Sequence, residues 1–332
     1  MSEFKLGNLS VEQGEIKKGI LGSINMADGS KVNIPLVIIN GKKDGPVLVV
    51  LAGVHGPEVS GIAALHKVLN NLNTDDLSGT LVGVPGANPF GIIDGKLPTR
   101  YDNKDLAVAF SNPDKTGSIT NRVASIVWEA INTADYVMDM HANPFPSIPF
   151  VLTNLSACKD NKTKQKLGKI AKAFGVTIIN WNRPVGSMKD LCSSRGVPAM
   201  TPEMAGNIYY WDDIASVGFK GITNVMKVID MLEGEVEKQN NVTVVDAEMG
   251  ELEYVGRVCC NQGGLMRILV KPGQKIQKGE TIIEIYNLLG EVVEEVKIPC
   301  TGYCWSFTGG QNFSAAVNEG TPLTYVFKHV ND

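Results

Sequence analysis

The sequence predicts an α/β fold, in which a mixed sheet is flanked by helices and followed by a smaller all-β sandwich. Up to about residue 232, apolar strand-like runs alternate with amphipathic helix-like segments, a pattern typical of a largely parallel sheet. A polar, charged segment follows at residues 233–241, and short strands with glycine-rich turns come after it. We therefore expect two domains, residues 1–236 and 242–332.

Length and composition are typical of a cytoplasmic enzyme. With 332 residues, 43% hydrophobic and 20% charged, the chain can form a large core. Its net charge of -4 argues against nucleic-acid binding, and the lack of 18 consecutive apolar residues argues against membrane insertion. The six cysteines form no CxxC pair and no zinc-finger spacing, so we expect reduced thiols. A homo-oligomer is compatible with all of this.

The first part of the chain predicts the first strands of the sheet and the helix between them. Residues 1–45 contain short alternating runs between glycines, which indicate an antiparallel lead-in. Next come a strand over Pro46–Ala52, a helix over Glu58–Leu72 and a strand over Thr80–Pro85. The turn between this first strand and helix is therefore a β-to-α turn, where α/β proteins often place their chemistry.

His55 and Glu58 lie on that turn, three residues apart, a spacing suited to a divalent metal ion. His141 follows a predicted strand over Ala134–Met140 and could supply a third ligand, leaving the fourth position of a zinc ion for water. In the alternative interpretation, Glu58 complements the helix N-terminus and the histidines are buried and hydrogen-bonded. The His-x-x-Glu spacing alone favours that alternative.

Residues 88–117 have no clear periodicity and predict a long functional loop that carries Arg100. A helix is expected over Ser118–Ile131. Asp139 lies on the same side of its strand as His141, which makes it a candidate hydrogen-bond acceptor for that histidine. The remaining expected elements of this half are a strand to Thr153, helices over 164–174, near Met188 and over 214–232, and strands over 176–180 and up to Glu203.

An ordered set of short motifs resembles the succinylglutamate desuccinylase/aspartoacylase family of zinc carboxypeptidase-like hydrolases, from about residue 30 to the end. The motifs are His55-Gly56-x-Glu58, Asn88-Pro89, Thr99-Arg100-Tyr101, Asp105-Leu106, Asp139-x-His141 and Thr201-Pro202-Glu203. The resemblance implies a zinc-carboxypeptidase-like sheet, one zinc ion held by His55, Glu58 and His141, and a small-molecule substrate.

The resemblance also implies roles for other residues. Arg100 would polarise the scissile carbonyl, and Glu203 would be the general base that takes a proton from the zinc-bound water. Asn88 and Tyr101 would lie beside the substrate. Two alternatives remain open: Arg100 could pair with Asp102 or Asp105 at the surface, and Glu203 could form an ion pair with Arg195.

The chain departs from the family after Asp105-Leu106, where the usual Asn-Arg pair that holds a substrate carboxylate is replaced by Ala107-Val108. We expect this small apolar pair to line the pocket of a substrate without that carboxylate, where a buried arginine would be costly. In a rival account, a cation elsewhere binds the carboxylate, with Arg122, Arg183 and Arg195 as candidates.

The C-terminal strands resemble a biotinyl/lipoyl-like domain, but the turn at Asn287–Glu291 has no lysine to modify. We therefore expect a structural domain that packs on the catalytic domain or shapes access to its site. The expected function is zinc-dependent hydrolysis of an N-acyl amide of a small amine or amino-acid derivative. The alternatives are an esterase or a peptidase that uses the same residues, and a non-catalytic protein that binds zinc or a small ligand.

Overall fold

A computed structural model describes residues 3–143, 146–182, 184–206, 209–240, 242, 252–307 and 315–329. It confirms the mixed α/β architecture with antiparallel sheets at the C-terminal end. The domain boundary between residues 236 and 242 stays a prediction.

The N-terminal strands form the expected antiparallel lead-in. A two-stranded sheet precedes a long hairpin whose second strand joins the main sheet, so the lead-in is continuous with the core. The four strands are β1 (Glu3–Leu6), β2 (Leu9–Glu12), β3 (Ile16–Asn25) and β4 (Lys31–Asn40).

The main sheet has eight strands, and its centre is parallel. The six further strands are β5 (Lys43–Ala52), β6 (Ser78–Val84), β7 (Tyr136–Ala142), β8 (Phe150–Thr153), β9 (Thr177–Asn180) and β10 (Ala199–Met204). The strand order is β3-β4-β6-β5-β7-β10-β8-β9. Strands β6, β5, β7 and β10 run parallel to their neighbours within this group, whereas β8 runs antiparallel to β10. The parallel strands therefore bring the ends of β5, β7 and β10 together at one edge.

Helices cover both faces of this sheet, because successive residues of its strands alternate between two apolar cores. The helices are α1 (Val59–Asn71), α2 (Pro89–Asp94), α3 (Leu106–Ala109), α4 (Ile119–Ile131), α5 (Asn161–Phe174), α6 (Met188–Ser194) and α7 (Asp212–Val228). In β5, Val49 packs in the core on the α4 side, and Val50 packs in the core on the α1, α5 and α7 side. Residues 88–117 are thus less irregular than expected, since they contain α2 and α3.

The C-terminal strands form two four-stranded antiparallel sheets, with orders β11-β18-β16-β13 and β15-β14-β12-β17. The strands are β11 (Leu252–Cys259), β12 (Gly264–Ile268), β13 (Lys275–Ile276), β14 (Thr281–Tyr286), β15 (Val292–Lys297), β16 (Gly302–Phe307), β17 (Ala316–Val317) and β18 (Pro322–His329). One buried cluster joins the β11-β18-β16-β13 sheet to the edge of the main sheet, where Phe150 and Ile179 pack with Leu252, Trp305 and Phe327.

Among the described residues, no helix has the length and apolar character needed to cross a bilayer.

Candidate active site

The turn from β5 to α1 depends on two glycines. Gly53 adopts a left-handed conformation with φ of +69°, which residues with a side chain rarely adopt. At Gly56, an added Cβ would lie only 1.7 Å from the carbonyl oxygen of Gly91, so the turn packs directly against the backbone of α2. This tight turn places His55 and Glu58 above the end of the sheet, where α1 begins.

His55, Glu58 and His141 come together as the sequence predicts. One donor atom from each residue lies within 4.8 Å of the other two. Glu58 is the centre of the group: its Oε1 lies 2.7 Å from His55 Nδ1, and its Oε2 lies 2.9 Å from His141 Nδ1. The backbone N–H of Ala142 also donates to Glu58 Oε2 at 3.0 Å. Glu58 therefore faces the histidines, and its side chain makes no capping hydrogen bond to α1.

A second carboxylate holds the far side of each ring. His141 Nε2 lies 3.0 Å from Asp139 Oδ2, and His55 Nε2 lies 3.1 Å from Asp105 Oδ1. The Asp139 contact agrees with its predicted place beside His141. The Asp105 contact was missed, although a ligand histidine normally has such an acceptor for its second nitrogen. Asp105 also accepts from the N–H of Ala107 and so caps α3.

For both nitrogens of a ring to donate to the carboxylates around them, each histidine must carry a second proton and therefore a positive charge. A neutral imidazole has one N–H, yet both nitrogens of each ring face a carboxylate. Burial opposes the charged form of His55, but Glu58 and Asp105 outweigh it and raise the pKa of His55 to about 10. Burial likewise opposes the charged form of His141, yet Asp139 and Glu58 raise the pKa of His141 well above its usual value.

Glu58 has the opposite shift. Burial disfavours its charged form, but the two histidines lower the pKa of Glu58 to about 2, so it is a carboxylate at neutral pH. One divalent cation would supply the same charge as the two protons that face Glu58, with both rings neutral. Two imidazole nitrogens and a carboxylate are also the donor set of catalytic zinc sites. The residues present therefore fit a zinc ion.

Glu203 lies beside this cluster. It is on β10, and its Cα is the register partner of His141 on the parallel strand β7. Burial, opposed by His141 and supported by Glu58, raises the pKa of Glu203 to about 7. Asn143 Nδ2 donates to Glu203 Oε2 at 2.9 Å, a contact that the sequence did not predict. The alternative ion pair with Arg195 is not formed, since that guanidinium lies 5.0 Å from the ring centre of Trp128.

Arg100 is largely exposed, with 57% of its side chain accessible to water. Its Nε lies 3.4 Å from Asp94 Oδ1, and its guanidinium lies 5.1 Å from the ring centre of Tyr101. Neither partner considered from the sequence pairs with it. Asp102 accepts from Thr99 and Thr120, and Asp105 contacts His55.

The other predicted substrate-binding residues differ in exposure. Asn88 is fully buried: it donates to the carbonyl oxygen of Val54 and accepts from the N–H of Gly91. Ala107 is half-buried, and Val108 is 66% exposed. The pair is therefore not buried as a unit, because the single turn α3 presents Val108 to solvent; its place beside a substrate stays a prediction. An arginine at this position would extend into water and would carry no burial cost.

Two of the three cations considered as rival carboxylate binders are engaged elsewhere. Arg195 stacks on Trp128, and Arg122 donates to the carbonyl oxygens of Gly117 and Thr116. Arg183 lies outside the described residues.

Comparisons with known proteins agree with the family resemblance of the sequence. Residues 44–229 match the model of the succinylglutamate desuccinylase/aspartoacylase catalytic domain. The chain is 24% identical over 304 residues to N-alpha-acetyl-L-2,4-diaminobutyric acid deacetylase of Halomonas elongata, covering 89% of this chain and 85% of that protein.

Solved structures share the fold over nearly the whole chain. The product-bound ectoine utilization protein EutE (DoeB) of Ruegeria pomeroyi is 21% identical with a TM-score of 0.84, covering 96% of this chain and 97% of that chain. A succinylglutamate desuccinylase/aspartoacylase of Rhodobacter sphaeroides is 21% identical with a TM-score of 0.80, covering 95% and 96%. With the family model matched over more than half of its length, the chain belongs to the succinylglutamate desuccinylase/aspartoacylase family.

Proposed function

We propose that the protein is a zinc-dependent hydrolase that cleaves the N-acyl amide of a small amine or amino-acid derivative. The observation that carries this proposal is the His55–Glu58–His141 cluster with a half-buried carboxylate, Glu203, directly beside it. The name of the Halomonas elongata relative, a deacetylase of an acylated diamino acid, supports the same reaction class.

One zinc ion per chain, held by His55, Glu58 and His141, would supply Lewis acidity toward a carbonyl group and lower the pKa of a bound water. Asp105 and Asp139 accept from the far nitrogens of the histidines and leave each Nδ1 free to face the ion. The protein therefore orients both rings from outside the site.

Glu203 is the general base of this proposal. It faces the same site as the histidines, and the hydrogen bond from Asn143 holds its Oε2 in one orientation. A carboxylate in this place can take a proton from the attacking water and pass it to the nitrogen of the leaving amine. The C–N bond then breaks, and the products are a carboxylic acid and a free amine.

Arg100 contacts the substrate from the open side. Asp94 holds its Nε, so the two terminal nitrogens of the guanidinium are directed elsewhere and can donate to the carbonyl oxygen as negative charge develops there. Tyr101, Ala107 and Val108 form the rest of this rim, next to the amine part of the substrate. Asn88 acts indirectly, because its amide holds the loop of His55 through Val54.

A substrate panel with zinc-loaded protein tests the proposal. It contains N-acetyl-2,4-diaminobutyrate, other N-acetylated amines and amino acids, amino-acid amides, short peptides and matched esters. We expect hydrolysis of at least one N-acyl amide, loss of that activity with a chelator, and recovery with zinc. Hydrolysis of esters alone or of peptides alone would refute the assignment as a hydrolase of small N-acyl amides, in favour of an esterase or a peptidase.

A non-catalytic role is the second candidate, and the observation in its favour is the loss of the usual carboxylate-binding pair at Ala107-Val108. Binding of zinc and of panel compounds without turnover of any of them would support this candidate over a hydrolase.

A further inference from the structure

Asp94, the last residue of α2, carries a buried carboxylate that helix stability does not explain. Its side chain is 9% exposed, and its Oδ2 is buried without a hydrogen-bond partner among the described residues. A negative charge in the last turn of a helix is opposed by the helix dipole, and an unsatisfied buried carboxylate costs free energy. Another contact must therefore account for its position.

The one ion pair of Asp94 in the described part of the chain is with Arg100. Asp94 Oδ1 lies 3.4 Å from Arg100 Nε. Because Oδ2 is closed off from water, this guanidinium is the group that compensates the buried charge. The pair therefore differs from an ion pair between two exposed side chains, which contributes little to stability.

A second contact of Arg100 also leads to α2. Its guanidinium lies 5.1 Å from the ring centre of Tyr101, and that ring makes an edge contact with Phe90, with the ring centres 5.3 Å apart. Phe90 is buried in the core and lies four residues before Asp94, so both are on the same side of α2. Arg100 is therefore attached to one helix at two points, directly through Asp94 and indirectly through Tyr101.

Helix α2 in turn packs on the turn that carries His55. An added Cβ at Gly56 would lie 1.7 Å from the carbonyl oxygen of Gly91, and the N–H of Gly56 donates to the carbonyl oxygen of Lys96 at 3.3 Å. This contact leaves no room for α2 to shift toward the turn. The helix therefore fixes the position of its attached arginine relative to His55.

We propose that Asp94 is a positioning residue for Arg100. Its carboxylate holds Nε on α2 and so directs the two terminal nitrogens of the guanidinium toward the carbonyl oxygen of the bound amide. The inference rests on the proposed function and adds to it a residue that does not touch the substrate. Because the carbonyl oxygen gains negative charge only as the reaction proceeds, misdirected nitrogens should lower kcat much more than they raise KM.

The kinetic test uses the full-length zinc-loaded protein and the best amide of the substrate panel. Arg100→Ala should lower kcat by about 100- to 1,000-fold, the usual loss when a donor to the oxyanion is removed. Asp94→Ala should lower kcat by about 10- to 100-fold, with KM within about threefold of the wild-type value. The double variant should be no worse than Arg100→Ala alone, because Asp94 acts only through Arg100.

Further variants separate positioning from a general loss of structure. Asp94→Asn keeps the shape of the side chain and an acceptor for Nε, so its loss of kcat should be smaller than that of Asp94→Ala. Glu284→Ala and Arg267→Ala are the matched control pair. Glu284 on β14 is also a partly buried carboxylate beside a largely exposed arginine, with its Oε2 3.3 Å from Arg267 Nη1. Both control variants should leave kcat unchanged.

Binding of methylphosphonate separates this inference from the proposed function. This tetrahedral anion mimics a carbonyl group to which water has added, and isothermal titration calorimetry measures its Kd on the same zinc-loaded variants. Arg100→Ala should raise Kd by about tenfold or more, Asp94→Ala should raise it less, and the double variant should match Arg100→Ala. This pattern supports the inference even if no amide is hydrolysed.

Three results overturn the inference: losses that multiply in the double variant, an Asp94→Ala variant that equals the wild type, and an Arg100→Ala variant that equals the wild type. Where an amide is hydrolysed, kcat decides, and the hydrolase proposal stands whatever the result for Asp94. Where none is hydrolysed, Kd decides. Absence of both hydrolysis and methylphosphonate binding in the wild-type protein overturns both proposals.

Discussion

The proposed metal cluster and the proposed substrate rim, formed by Arg100, Tyr101, Ala107 and Val108, differ in how the protein holds them. His55, Glu58 and His141 are almost withdrawn from water, and each is held by a second protein group on the side away from the cluster. Arg100, Tyr101 and Val108 lie on short helices and turns and are largely exposed. Under the proposed function, the chemistry would be built into strand ends, and the specificity for the amine would be carried by exposed side chains that can change without disturbing the core.

The largest expected effect comes from His55→Ala. The variant should lose most of its metal and all measurable hydrolysis, because one of three protein ligands is gone. The fold should persist, since Asp105 keeps its hydrogen bond with Ala107 and is partly accessible to water. Elemental analysis after dialysis measures the metal, and circular dichroism monitors the fold.

His66→Ala is the control for this change, because His66 is an exposed histidine of α1 with no place in the cluster. It should retain full metal content. Full occupancy in His55→Ala would refute the assignment of this ligand.

Glu203→Gln should lower kcat by about two to four powers of ten, as expected when a general base is removed. The substitution keeps the shape of the side chain and removes the proton acceptor. Metal content should be unchanged, since Glu203 is outside the ligand set. Parallel assays of turnover and bound zinc on the best panel substrate measure both. Normal turnover would mean that the base is another residue.

Asp105→Asn should weaken zinc affinity by about 10- to 100-fold, the usual cost of removing a carboxylate behind a ligand histidine. Competition with a chelating dye gives the affinity. Asp102→Asn is the control, because Asp102 holds Thr99 and Thr120 in the same segment without contacting a ligand. If both variants bind zinc equally, the Asp105 contact with His55 does not support the metal site.

The smallest effect is expected for Ala107→Asn combined with Val108→Arg. Because Val108 is exposed, the free energy of unfolding should change by no more than about 0.5 kcal/mol. Turnover of the natural substrate should weaken, and slight activity should appear on N-acyl amino acids with a free carboxylate. Ile93→Arg is the matched control, because Ile93 is another exposed apolar residue.

Comparison of wild-type turnover of a free carboxylate and its matching amide completes this test. A clear preference for the carboxylate would contradict the view that the substrate has none at this position. Arg183→Ala would then be the next variant, since Arg183 was one of the three cations considered from the sequence.

The sequence predicts the cluster well because its three residues follow from strand ends. His55, Glu58 and His141 stand at the ends of β5 and β7, and parallel neighbours bring such ends together whatever the details of the loops. The contact between Asp139 and His141 follows from the two-residue period of a strand. Local pattern and sheet topology therefore bring these residues together, whereas their assignment as metal ligands depended on the resemblance to the family.

The positions of Asp105, Val108 and Tyr325 could not be predicted in the same way. Asp105 reaches His55 across 50 positions of the chain through a segment without periodicity, and the exposure of Val108 depends on the single turn of α3. Tyr325 lies beside Glu203 because the C-terminal strands pack against the edge of the main sheet. Such a contact between distant segments has no periodic signal in a single sequence.

The packing of Gly56 against Gly91 limits how the enzyme could be re-engineered. The main chain of α2 touches the main chain of the His55 turn, and Gly56 N–H also donates to the carbonyl oxygen of Lys96. A transplanted loop of different length between residues 88 and 105 would push on the zinc ligands themselves. Directed evolution toward new amines should therefore succeed by exchanging outward side chains such as Ile93 and Val108, and insertions in this segment should cost metal before they alter selectivity.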